Sequence, residues 1–171
     1  SPPCVPVELP ASRQYGRLYQ EEVLVFNGLA GVITSPLGKL PHKTGVVLTN
    51  IGTSHRVGNH LLYVHLARSL AHGGYAVIRF DRAGTGYSRA TPGNVENDVY
   101  ADSGIADVRA AMDCLQARCP CMQMVLAGLC SGAYFSYHAA VQDARVKGLI
   151  LINLLTFEWH AGDSLEMRIR D

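Results

Sequence analysis

Two kinds of hydrophobic pattern follow one another along the chain. Near the start, two β-type runs, Glu22–Phe26 and Leu29–Thr34, are separated only by Asn27 and Gly28. Asn-Gly suits the paired positive-φ positions of a type I′ turn, so this stretch predicts an antiparallel hairpin. From Gly45 the pattern changes. Val46-Val47-Leu48-Thr49 is a continuous apolar run, as a strand buried on both faces requires. Residues 61–70 follow with helical spacing, Leu62, Leu66, Ser69 and Leu70 lying near one face. Tyr75–Phe80 reads as the next strand. Ile105, Val108, Met112 and Leu115 recur at spacings of three, four and three, which predicts an amphipathic helix over 102–118. Met124–Ala127 is a strand, Ser131–Val141 a helix and Gly148–Ile152 another strand.

Strands alternating with helices at this spacing imply right-handed crossovers and a parallel sheet covered on both faces. The expected class is therefore α/β: a three-layer αβα sandwich, mostly parallel, entered through an antiparallel hairpin. Residues 1–20 are Pro-rich and read as an irregular arm, leaving 21–171 as the folded core. The chain opens on Ser1, and Ser164–Asp171 reads as a helix cut off after its first turns, so a fragment is expected.

Composition narrows the class further. The 171 residues suffice for one domain with a real core, and 48% hydrophobic with 17% charged residues is ordinary for a globular protein. A formal net charge of +1 argues against nucleic acid or an anionic membrane as partner. No apolar run reaches the ~20 residues of a membrane span, and the first residues lack the pattern of a signal peptide. Cys4, Cys114, Cys119, Cys121 and Cys130 are odd in number and irregular in spacing, which fits a reduced, cytoplasmic setting better than a disulfide framework. Cys119-Pro120-Cys121 has no second ligand pair nearby and reads as a turn between helix and strand. No metal or organic cofactor is expected.

The chemistry concentrates in Gly128-Leu129-Cys130-Ser131-Gly132, between the strand Met124–Ala127 and the helix that follows. A strand turning sharply into a helix through G-x-nucleophile-x-G holds its central side chain at the carboxyl end of the sheet. The glycines are needed because the turn is strained and crowded. Cys130 is the candidate nucleophile, with the helix amino terminus favouring thiolate. The Ser131 N–H is positioned for a developing oxyanion, whereas Ser131 as nucleophile is out of register. Asn50–His55 follows the first buried strand, and there Thr53, with Gly52 next, is the expected second backbone donor. His55, Arg56 and His60 read as solvated loop residues. Asp81 and Arg82, opening the glycine-containing turn Ala83–Ser88, are expected to hold that loop through charge-assisted hydrogen bonds. His138 reads as a packed core residue. Glu158 and His160 are weak candidates for acid and base.

Three segments carry a family resemblance: Val47–Gly52, Phe80–Ser88 and Gly128–Gly132. In this order and spacing they resemble the α/β-hydrolase superfamily, in particular its serine aminopeptidase-like and dienelactone hydrolase-like bacterial members, over roughly Glu21–Asp171. The resemblance implies a carboxylic ester or thioester hydrolase, or an acyltransferase, working on a small-molecule acyl substrate through an acyl-enzyme on Cys130. The family order is nucleophile, acid, histidine. The acid follows the strand after Ile152 and the histidine follows the last strand, so the chain stops before both, near the start of the lid region. The alternatives are a catalytically inactive binding or scaffold module, and a fragment whose exposed sheet edge takes a partner chain or a second copy.

Overall fold

The computed structural model describes residues 13–15, 18–90, 96–160 and 163. Seven strands form one sheet in the order β1-β2-β3-β5-β4-β6-β7. They are β1 (Arg13–Tyr15), β2 (Tyr19–Phe26), β3 (Leu29–Pro36), β4 (Thr44–Thr49), β5 (Ala76–Phe80), β6 (Gln123–Leu129) and β7 (Val146–Ile152). The helices are α1 (Leu62–His72), α2 (Gly104–Arg118) and α3 (Ser131–Gln142). The first three strands run antiparallel to their neighbours, β3 meets β5 antiparallel, and β5, β4, β6 and β7 are mutually parallel.

The hairpin forms where the pattern places it, and Asn27 (φ 47°) with Gly28 (φ 78°) supplies the two left-handed residues of its turn. The expected arm over 1–20 is corrected in part. Arg13–Tyr15 pairs with Tyr19–Glu21 as an edge strand, while residues 1–12 and 16–17 lie outside those described. The polar run Tyr19-Gln20-Glu21 hid this extension of β2. It is stabilised by Glu21, which is buried beside Arg68 and Arg79 and also accepts a hydrogen bond from Thr34 Oγ1. The expected helix at 164–171 likewise lies outside the described residues.

Alternation along β4 divides the core between the two faces. Val47 joins Ile78, Leu126, Met112, Leu115 and Phe135 beneath α2 and α3. Val46 and Leu48 pack with Tyr63 and Ala67 of α1 on the other side. Truncating a fully buried Leu, such as Leu126, costs about 2–5 kcal/mol in such a core. One face of α1 differs from the pattern reading. Tyr63, Val64, Ala67 and Ala71 turn inward, because the two alanines let the helix lie close to the sheet. Leu62 and Leu66 instead border an apolar groove of about 490 Å³ that runs to Leu129, Ile150 and Ile152. Among the described residues β7 is one edge strand of the sheet, with Leu149, Ile150 and Ile152 exposed. Among the described residues, no helix is long and apolar enough to cross a membrane.

Candidate active site

At the end of β6 the chain reverses through a single strained residue. Cys130 has φ 56° and ψ −120°, a conformation costly for any residue with a Cβ. Its N–H donates to Ile152 O at 2.9 Å, and its carbonyl accepts the Ala133 and Tyr134 N–H groups that start α3. The bracketing glycines are steric requirements. A Cβ on Gly128 would stand 2.2 Å from the Gly132 carbonyl, and one on Gly132 would stand 2.4 Å from Thr49 O. The first turn of α3 can therefore lie directly on the ends of β6 and β4 only with both glycines present. Cys130 itself is partly exposed.

The loop after β4 meets this turn. Thr49 Oγ1 donates to Ala127 O at 3.0 Å and lies 2.5 Å from Ser136 Oγ. Tyr63 OH donates to Thr49 O at 2.8 Å, and burial pushes the Tyr63 pKa up to about 12, so the phenol stays a donor. Asn50 Nδ2 bonds Ser54 O, and Ser54 N–H bonds Ile51 O. Gly52 sits between them with φ 50°. Its N–H donates to Ser131 Oγ at 2.8 Å, and its carbonyl accepts from Arg82 Nη2 at 2.7 Å. Gly52 is thus committed on both sides, which leaves it a shaping role in the loop and not a free donor. Ser131 is fully buried, and its hydroxyl accepts the Gly52 N–H. The N–H groups of Thr53 and Ser131 have no hydrogen-bond partner among the described residues.

A third loop braces the second. Asp81 is fully buried and accepts from the Arg56 and Tyr87 N–H groups at 2.6 and 3.1 Å, with Arg56 Nη1 paired to the same carboxylate. Ser88 Oγ bonds Asp81 O, and Asp107 Oδ2 accepts the Ala83 N–H at 2.8 Å. Burial pushes the Asp107 pKa up, against the pull of that bond and of Arg82. Asp81 holds its own loop as expected from sequence, whereas Arg82 departs from that expectation: its guanidinium reaches the Gly52 carbonyl in the loop after β4. Arg56 corrects the reading of it as solvated: its side chain is half-buried in the ion pair with Asp81 and lies over the Tyr87 ring. His55 and His60 are exposed.

One wall of the site was missed by the motif reading. Tyr100 is buried, stacks on Trp159 at 4.0 Å and meets Tyr134 edge-on at 5.2 Å. Its phenol pKa is raised by burial first and then by the nearby Cys130. The clue in the sequence was aromatic residues clustered after strand ends, Tyr134, Phe157 and Trp159, but Tyr100 comes from a loop with no periodicity. His138 corrects its assignment to the packed core. It is half-buried on α3, and Nε2 lies 2.8 Å from Phe157 O, tying the segment after β7 to the helix. Glu158 and His160 are exposed; the Glu158 backbone bonds the Thr156 hydroxyl, and the His160 N–H bonds Asp163.

Cys119 and Cys121 sit at the turn between α2 and β6, as the sequence suggested, with both thiol pKa values raised by burial, that of Cys121 to about 12. Among the described residues, no three His, Cys, Asp or Glu side chains are grouped as metal ligands.

Comparison with known proteins agrees with this geometry. Residues 46–159, more than half of the chain, match the family described as Serine aminopeptidase, S33. No curated protein matches. Among solved structures, an α/β serine hydrolase without a lid from Xanthomonas campestris is 23% identical, with TM-score 0.62 over 84% of this chain and 65% of that one. A cold-adapted esterase from an Arctic intertidal metagenomic library is 22% identical, with TM-score 0.65 over 84% and 64%. A dienelactone hydrolase-like promiscuous phosphotriesterase from metagenomic libraries is 18% identical, with TM-score 0.61 over 85% and 63%. The chain thus spans less than two thirds of the length of these structures, and at such identities the likeness is one of fold. The elbow, the loops that surround it and the family match together place the chain in the serine aminopeptidase S33 family of α/β-hydrolases.

Proposed function

We propose that the protein cleaves or transfers acyl groups from small carboxylic esters or thioesters, with Cys130 as nucleophile. One observation carries the reading: the residue at the centre of the strained turn carries a thiol, and two N–H groups, of Ser131 beside it and of Thr53 in the loop that bonds Ser131, are without partners among the described residues. The Cys130 sulfur attacks the substrate carbonyl carbon. The Ser131 and Thr53 N–H groups receive the developing oxyanion, a contribution worth about 10²–10³ in rate for each donor. Collapse of the tetrahedral species breaks the bond to the leaving alkoxide or thiolate and leaves a thioester on Cys130. Water then releases the acid, or a second nucleophile takes the acyl group.

The two half-reactions place different demands on the protein. An activated ester has a good leaving group, so acylation relies on the elbow and the two donors. Deacylation needs a base to activate water. By the family pattern that base and its acid partner follow later strands, and this chain covers only 65% and 64% of the two solved structures. The Tyr100–Trp159 stack offers a flat aromatic wall for the acyl or leaving group.

Release of p-nitrophenolate from p-nitrophenyl acetate tests the reading. A burst of about one product per protein is expected, abolished in Cys130→Ala. No burst, or an equal burst in Cys130→Ala, would count against an active elbow and favour an inactive binding module.

A further inference from the structure

The peptide unit joining Gly52 to Thr53 links two observations. Its carbonyl accepts the hydrogen bond from Arg82 Nη2 at 2.7 Å, and its N–H belongs to Thr53. A trans peptide is planar, with C=O and N–H pointing in opposite directions. Holding the carbonyl therefore fixes the direction of the N–H. We propose that Arg82 is a positioning residue for the oxyanion site, clamping the Gly52 carbonyl and so aiming the Thr53 N–H at a substrate carbonyl held on Cys130. The inference rests on the reading of Thr53 as an oxyanion donor. Ser131 Oγ completes the clamp from the other side by accepting the Gly52 N–H, so both peptide planes around this φ 50° glycine are fixed.

The surroundings of Arg82 favour this role over simple bracing. The side chain is fully buried, its guanidinium lies over the Phe135 ring at 4.4 Å, and it makes no ion pair among the described residues. Among the described residues Nε and Nη1 have no partner, and the one hydrogen bond of the guanidinium there goes to Gly52. Burial lowers its pKa to about 10, against the pull of Asp107 and Asp98, so it remains charged at neutral pH. A buried cation with a single bond costs stability. Its own loop does not need that bond. Residues 81–88 are held by the Asp81 carboxylate, Ser88 Oγ and Asp107, without the guanidinium. What the cation does hold is the carbonyl behind the donor, and a charge there also polarises the peptide so that its N–H donates more strongly.

The test compares two reactions of the Cys130 thiol in the full-length protein, both followed by peptide-resolved mass spectrometry. With p-nitrophenyl acetate the sulfur bonds to the carbonyl carbon, an oxyanion develops, and p-nitrophenolate leaves with the C–O electron pair. With iodoacetamide the sulfur displaces iodide from a saturated carbon, and no oxyanion forms. Arg82→Met, which keeps bulk against Phe135, is expected to slow acylation about 10–100-fold while alkylation stays within about twofold. Arg82→Lys should fall between Met and the parent. If Arg82→Met does not fold, Arg82→Gln is read for the same split. Equal acylation in parent and variant, or parallel loss of both reactions, overturns the positioning role. Failure of the parent itself to acylate at Cys130 overturns the underlying reading, and the positioning role with it.

Discussion

The two halves of the site are built differently. The β6–α3 elbow is specified by its own neighbours: Gly128 and Gly132 are small because each Cβ would strike backbone at 2.2 and 2.4 Å. The Asn50–Arg56 loop carries its glycine in open space, where a Cβ on Gly52 meets nothing within 4 Å. Its shape comes from partners distant in sequence, Ser131 at one face of Gly52, Arg82 at the other and Asp81 against Arg56. The elbow is held by exclusion of volume and the loop by hydrogen bonds. A motif can encode the first, while the second exists only once the sheet has assembled.

This contrast can be broken at several points. Gly132→Ala forces a methyl onto Thr49 O and should cost about 3 kcal/mol or more, seen as a lower midpoint in denaturant unfolding. Gly52→Ala meets no atoms but must adopt a positive φ, so a loss of about 1 kcal/mol is expected, with acylation affected more than stability. A larger stability loss at Gly52 than at Gly132 would reverse the comparison. Asp81→Asn keeps the shape but leaves the Arg56 guanidinium without its counter-charge, and about 2 kcal/mol of destabilisation is expected by the same unfolding measurement. Tyr63→Phe removes one donor from Thr49 O beneath the loop, for about 1 kcal/mol.

The smallest effect concerns pH and lies away from the site, where no change in acylation is expected. Burial pushes the Glu21 pKa up, but hydrogen bonds and charge from Arg68 and Arg79 outweigh it and hold the carboxyl below its ordinary 4.5. A depressed folded pKa contributes stability that is fully present above the unfolded value and is lost as pH falls through the folded one. Stability should therefore drop on acidification below about 4.5, and Glu21→Gln should flatten that part of the profile. A Glu21→Gln protein with an unchanged acid limb contradicts this assignment.

Most of the fold could be read along the chain because its signals are local. Asn27-Gly28 set the hairpin, the run Val46–Thr49 marked a strand buried on both faces, and Ile105, Val108, Met112 and Leu115 marked α2. What could not be read depends on distant partners. The start of β2 is polar because Glu21 meets arginines 47 and 58 residues away. The inward face of α1 is chosen by the small Ala67 and Ala71, which a search for leucines passes over. Tyr100 reaches the site from a loop without periodicity. Arg82 was legible as a loop residue, but its bond to Gly52, 30 positions earlier, is a product of the strand order β5-β4-β6.

The most direct test of the account is peptide-resolved mass spectrometry of the full-length protein after brief exposure to an activated acetyl ester, beside Cys130→Ala. The account predicts one acetyl group on the peptide containing Cys130 and none there in the variant. The other described cysteines, Cys114, Cys119 and Cys121, should remain unacetylated in both, two of them with thiols held protonated by burial. Acetylation at those cysteines in preference to Cys130, or none at Cys130, would contradict it.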